Sequence, residues 1–102
     1  MYSARDRVEF EAELEELAAA ADRLELSEEA RSVAADLFLS GIPEQDRSKS
    51  AVIAASLYAG ALITGEERSQ TAVAEAVGVS RLVINDRWKP LLEDAGFEPP
   101  AW

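Results

Sequence analysis

A chain of 102 residues supports one compact domain with one core, and the absence of both cysteine and histidine excludes disulfides, thiolate metal sites and catalysis built on those side chains. Twenty acidic residues stand against ten basic ones, a formal charge of -10, and only Lys49 and Lys89 are lysines. No stretch reaches the roughly 20 apolar residues of a membrane helix, and no basic-then-apolar leader opens the chain, so a soluble cytoplasmic protein is expected. An acidic, lysine-poor surface either repels polyanions non-specifically or keeps a protein hydrated in molar salt. The excess is spread along helix faces, not gathered in a tail, which favours the salt-adapted reading. In molar salt counterion release adds little to a DNA complex, and shape and base contacts must do more. Residues 1–46 hold thirteen acids against four bases and residues 47–102 seven against six, so a polyanion would meet the C-terminal half.

Alanine, leucine, glutamate and arginine dominate the chain, and they favour helix. The first helix is expected from about Val8 to Leu24, with Phe10, Leu14, Leu17, Ala18, Ala21 and Leu24 on its apolar face. Glu9, Glu11, Glu13, Glu15 and Glu16 form a solvated face opposite. Ser27 offers an N-cap to a second helix, with Glu28 and Glu29 in its first turn and Ala30, Val33, Ala34, Leu37 and Phe38 on one stripe. Gly41 and Pro43 stop it, and PEQDRSKS over 43–50 is a polar connection. From Ala51 to Ile63, eleven of thirteen residues are apolar, Ser56 and Gly60 being the exceptions. A helix apolar all round is buried all round, so this is the centre of a bundle. Its small residues (Ala54, Ala55, Ala59, Gly60) let neighbouring helices pack close. Gly65 ends it, and the loop GEERS leads to a short helix over 70–77. Ser80 caps a last helix with Ile84, Trp88 and Leu91 turned inward. Pro90 falls inside that pattern and predicts a kink or break near Lys89. The tail EPPAW reads as irregular, with Trp102 either packing on a partner or lying loose. No repeat or low-complexity linker divides the chain, so residues 1–102 are expected to form one domain.

The run QTAVAEAVGVSRLVINDR, from Gln70 to Arg87, fits a helix-turn-helix extending over 70–89. Ala74 is the small residue at the helix crossing, and Gly78, four positions on, tolerates the positive φ of the turn. Val73, Val77, Val79 and Ile84 are the apolar residues around the turn, and Ser80 is the cap. In a DNA-binding unit the second helix enters the major groove and offers Ser80, Arg81, Leu82, Asn85 and Asp86. Arg81 suits guanine and Asn85 suits adenine. The plainer alternative is that two short helices and a glycine turn merely close a bundle, and Asp86 is a poor neighbour for phosphates.

GEERSQTAVAEAVGVS, from Gly65 to Ser80, resembles the corresponding run of archaeal transcription factor B, the counterpart of the eukaryotic general factor IIB. LELSEEARSVAADLF (24–38) is similar to the opening helices of the same repeat, IAASLY (53–58) to its central helix, and VINDRWKPLL (83–92) to the last helix of the second repeat. The match spans about residues 8–97, one five-helix cyclin-like repeat. With the acidic composition it implies a halophilic archaeal source. The resemblance implies an all-α, cyclin-like bundle with a C-terminal helix-turn-helix. In that family two such repeats clamp the TATA-binding protein on promoter DNA, the second repeat reads an element beside the TATA box, and a zinc ribbon recruits the polymerase. One repeat without cysteine is expected to be neither a ribbon nor a complete initiation factor. Arg68 and Ser69 match backbone-contacting positions, and Arg87, Trp88 and Lys89 keep the family's character. Val83 and Asn85 stand where a threonine and an arginine are usual, Asp86 where an asparagine is common, and Pro90 is unusual. Phosphate contact is therefore better supported than base reading.

No enzyme, cofactor, metal or small-molecule substrate is expected. Glu15–Glu16 and Glu66–Glu67 are adjacent acids more simply solvated than metal-binding, and Tyr58 and Trp88 fall on apolar faces as core. Two functions remain. One is a DNA-binding regulator whose contacts are Arg68, Ser69, Ser80, Arg81, Leu82, Asn85, Arg87 and Lys89 on promoter-like double-stranded DNA. The other is an interaction module that binds a transcription protein such as the TATA-binding protein. The first predicts that Arg47, Lys49, Arg68, Arg81, Arg87 and Lys89 largely share one exposed face. Scatter, or pairing with Glu66, Glu67 and Asp86, would count against it.

Overall fold

A computed structural model describes residues 10–41 and 49–97. Within them the chain forms five helices and no strand: α1 (Glu11–Arg23), α2 (Glu28–Gly41), α3 (Lys49–Ile63), α4 (Gln70–Val77) and α5 (Arg81–Asp94). Val8, Pro43, Arg47, the EPPAW tail and Trp102 lie outside the described residues.

α3 is the axis of the bundle. Every residue from Ala51 to Ala61 is buried, and the other four helices all pack against it. Ser56 is the one serine of this buried run, and its Oγ has no hydrogen-bond partner among the described residues. The helix begins two residues before the apolar run, at Lys49. The small residues act as expected at the crossing with α2, where a Cβ on Gly60 would stand 3.0 Å from the backbone nitrogen of Ala34. The bundle closes only because both positions are nearly bare.

α1 buries Leu17, Ala20 and Ala21, but Ala18 is exposed. Ala18 lies about 100° round from Leu17 at 3.6 residues per turn, on the side away from Ala20, so the apolar stripe is narrower than the sequence suggests. Phe10 precedes the helix and meets Phe38 of α2 edge-on at 6.2 Å. α2 buries Ala30, Ala34, Leu37 and Phe38, with Val33 half-buried. Its N-cap is Ser27, whose hydroxyl accepts from the Ala30 N–H at 3.3 Å.

The break expected at Pro90 does not occur: α5 continues to Asp94. Pro90 is exposed, while the two residues after it, Leu91 and Leu92, are buried. Burying two leucines is worth about 1.5–3 kcal/mol each, against about 3 kcal/mol for a helix-interior proline. The core therefore keeps the last turn helical. No described helix is long and apolar enough to cross a membrane.

Candidate nucleic-acid interface

α4 and α5 are positioned by caps and by three charged side chains from elsewhere. Ser69 accepts from the Ala72 N–H at 3.0 Å and starts α4. Gly78 ends it in the left-handed region, at φ 91°, where the N–H groups of Gly78 and Val79 both reach the Ala74 carbonyl. Val73 and Ile84 are fully buried on either side of this turn, and Ala74 nearly so. Arg23 of α1 donates to the Ala76 carbonyl at 2.8 Å and so satisfies an acceptor at the free end of α4. Trp88 fastens α5 to the axis by an edge contact with Tyr58, ring centroids 5.4 Å apart.

The loop before α4 is tied to the α1–α2 corner. Glu66 accepts from both the backbone N–H and the hydroxyl of Ser27, the N–H bond being 2.9 Å. The Ser27 hydroxyl, then its N–H, hold the Glu66 carboxyl below the usual glutamate range against a small opposing effect of desolvation, with the Arg68 charge adding a little. Arg68 donates to the carbonyls of Leu24 (2.9 Å), Glu66 (2.8 Å), Glu67 (3.4 Å) and Glu25 (3.3 Å). Glu25 is the one described non-glycine residue at positive φ, 55°, so the corner is a tight one. With four carbonyls around it, the Arg68 guanidinium has little left to offer a phosphate; its work is to fix the entry of α4.

Of the expected basic face, Arg68 is thus turned to backbone carbonyls. Lys49 lies against α1, 3.8 Å from the Glu13 carboxylate and 5.6 Å from the Phe10 ring centre. Arg47 is outside the described residues. Arg81, Arg87 and Lys89 remain, all on α5 and all exposed. Among the described residues none of the three pairs with Glu66, Glu67 or Asp86.

α5 sorts its side chains by angle. Ile84, Trp88, Leu91 and Leu92 face the bundle. Asn85 and Lys89 form one flank beside α4, where the Gln70 amide donates to Asn85 Oδ1 at 3.3 Å and Lys89 Nζ stands 5.4 Å from the Trp88 ring centre. Arg87 is about 160° away from Lys89 around the helix, on the other flank, where a shallow cleft is bordered by Gly41, Val52, Pro90 and the charged Asp86, Arg87 and Asp94. Asp86 lies opposite the buried side, Leu82 stands on Lys89's side of it, seven residues before Lys89, and Leu82 is 62% exposed. Ser80 occupies the N-cap position with extended backbone, but its side chain makes no capping bond. The cap expected there is absent, and the hydroxyl stays uncommitted. Sequence reading overlooked Gln70 and Arg23. Nothing local marks either, since their partners lie 15 and 53 residues away.

The sequence model of a family described as "Transcription factor TFIIB repeat" matches residues 7–94. The chain belongs to the TFIIB repeat family. The match ends on Asp94, the last residue of α5, so one repeat accounts for the whole five-helix, cyclin-like bundle. Transcription initiation factor IIB of Pyrococcus abyssi is 34% identical over 84 residues, 79% of this chain and 28% of that protein. Its counterpart in Archaeoglobus fulgidus is 42% identical over 52 residues, 51% of this chain and 16% of that protein. Transcription initiation factor IIB 1 of Thermoplasma volcanium is 52% identical over 42 residues, 41% of this chain and 14% of that protein. The chain spans less than a third of the length of these TFIIB relatives.

Proposed function

We propose that this TFIIB-type repeat is a non-enzymatic, cytoplasmic transcription regulator that binds promoter-like double-stranded DNA by laying α5 in the major groove. The observation that carries this reading is the bare N-terminal half of α5, whose Ser80, Arg81, Leu82, Asn85 and Arg87 are all exposed while Ile84 and Trp88 anchor the helix from behind. A helix held that way, next to a well-formed turn, presents free N–H groups and side chains to a groove about 12 Å wide. Ser69, Ser80, Arg81, Leu82, Asn85, Arg87 and Lys89 are the contacts. The two flanks of α5 meet the phosphate walls, Lys89 on one and Arg87 on the other. Arg68 acts through α4 as a positioning residue. No cofactor, metal or small-molecule substrate enters this reading.

The test is fluorescence anisotropy of the full chain with promoter and random duplexes in molar potassium chloride. Saturable binding that prefers promoter DNA is the expected result. Absence of binding to either duplex, together with co-purification of the TATA-binding protein, would replace this reading with the second one. One observation favours that alternative: Leu82, a large apolar side chain, is 62% exposed on the outer side of α5, as an anchor for a protein partner would be.

A further inference from the structure

We propose that Asp86 is a specificity-determining residue that selects cytosine at one position of the bound DNA; this rests on the DNA reading of α5 given above. A carboxylate on a DNA-facing helix repels phosphate, and its effect depends on where around the helix it stands. Ile84, Trp88, Leu91 and Leu92 fix the inward side of α5 by burial. Asp86 falls opposite them at about 100° per residue. It is exposed and enters no ion pair among the described residues; around the helix Lys89 lies about 60° to one side and Arg87 about 100° to the other, with the acids Glu93 and Asp94 on the following turns. When α5 lies in a major groove with the bundle outside, those flanks meet the two phosphate walls. The line of Asp86, opposite the buried side, meets the base edges at the floor. The acid is thus placed on the side of α5 opposite the buried residues.

At the floor an ionised carboxylate only accepts hydrogen bonds. Cytosine offers the N4 amino donor. Guanine and thymine turn acceptors toward it (N7 and O6, or O4) and are repelled, and adenine sets its N6 donor beside the N7 acceptor. Cytosine is therefore the one base whose major-groove edge suits this side chain without an opposing acceptor.

The experiment uses the full chain. Duplexes bound in molar potassium chloride are enriched from a random pool, and the affinity of the best site is compared with that of its single-base variants. Wild type, Asp86→Ala and Asp86→Asn are each measured, with circular dichroism to check that both variants keep the native helix content. Wild type is expected to prefer cytosine at one position by about 5- to 100-fold, the range of one good side-chain–base contact. In Asp86→Ala that preference falls below about 3-fold while the profile at other positions stays, because only one contact is removed. Asp86→Asn, which donates as well as accepts, shifts the preference toward other bases at the same position. An Asp86→Ala profile identical to wild type, with only a uniform gain in affinity, overturns the proposal: the carboxylate then faces phosphate, and DNA binding itself survives. If wild type enriches no duplex, the DNA reading falls and takes this inference with it.

Discussion

Two arginines of the same loop-and-helix region have opposite surroundings, and that difference can be measured. Arg68 is spent inside the molecule on the carbonyls of Leu24, Glu25, Glu66 and Glu67, whereas Arg81 stands exposed at the start of α5 with no ion pair among the described residues. Arg68→Ala is expected to lower stability by about 1–3 kcal/mol, the range for losing hydrogen bonds from a charged donor, visible as a drop of several degrees in Tm. Arg81→Ala is expected to leave Tm within about 1 °C, as exposed substitutions do, and to weaken DNA binding. Equal loss of stability in both variants would contradict this division. The sequence could not have separated them. Arg68 occupies a position that resembles a backbone-contacting one, and its carbonyl partners lie up to 44 residues away. Ser80 fails in the same way: its type and place are those of a cap, but whether a hydroxyl turns back to the helix depends on side-chain rotation that no pattern encodes. Gly78 was legible because the backbone conformation of a turn is a local matter.

At the scale of elements, α3 and α5 show the two ways in which context acts on local preference. α3 could be read outright, since eleven buried positions in a row leave a helix no face for solvent. α5 could not, because the proline signal and the burial of Leu91 and Leu92 pull against each other and only the packed structure decides which wins. Pro90→Ala restores a donor to the Asp86 carbonyl and is expected to stabilise the protein by about 1–3 kcal/mol, read as a higher urea midpoint with unchanged slope. An unchanged midpoint would mean that the last turn of α5 adds little to stability. The corner between α1 and α2 answers to pH. Glu66 has a lowered folded-state pKa, because the Ser27 hydroxyl and N–H both donate to its carboxylate. Its stabilisation is therefore complete above the ordinary glutamate value of about 4.3 and is lost as pH falls through the lower folded-state value. Comparing wild type with Glu66→Gln by urea unfolding, the stability gap is expected to be widest near pH 6 and to close toward pH 3. A gap independent of pH would show that the carboxylate charge is irrelevant to the corner.

For the molecule as a whole, composition and periodicity carried the all-α fold and the order of its helices, while the functional surface was only half visible. The six basic residues of the second half were expected on one face. Three of them are on α5, Lys49 is exposed beside Glu13 of α1, and the Arg68 guanidinium is turned to internal carbonyls. Side-chain destinations of this kind depend on tertiary neighbours and have no period. The formal charge of -10 remains a property of the entire surface. Salt within a Debye length of about 3 Å at 1 M screens that self-repulsion, so the urea midpoint is expected to rise between 0.1 M and 2 M potassium chloride. A midpoint that falls with salt would show that the ion pairs lost to screening outweigh the repulsion relieved.

The fastening of α4 and α5 has a consequence for association. Arg23 holds one end of α4, Arg68 and Glu66 hold the other to the Ser27 corner, and Trp88 locks α5 on Tyr58. A helix pair held so firmly has little conformational entropy left to surrender on docking. Its heat-capacity change on binding should then follow from the contact surface alone, without the additional drop seen when a segment folds on its target.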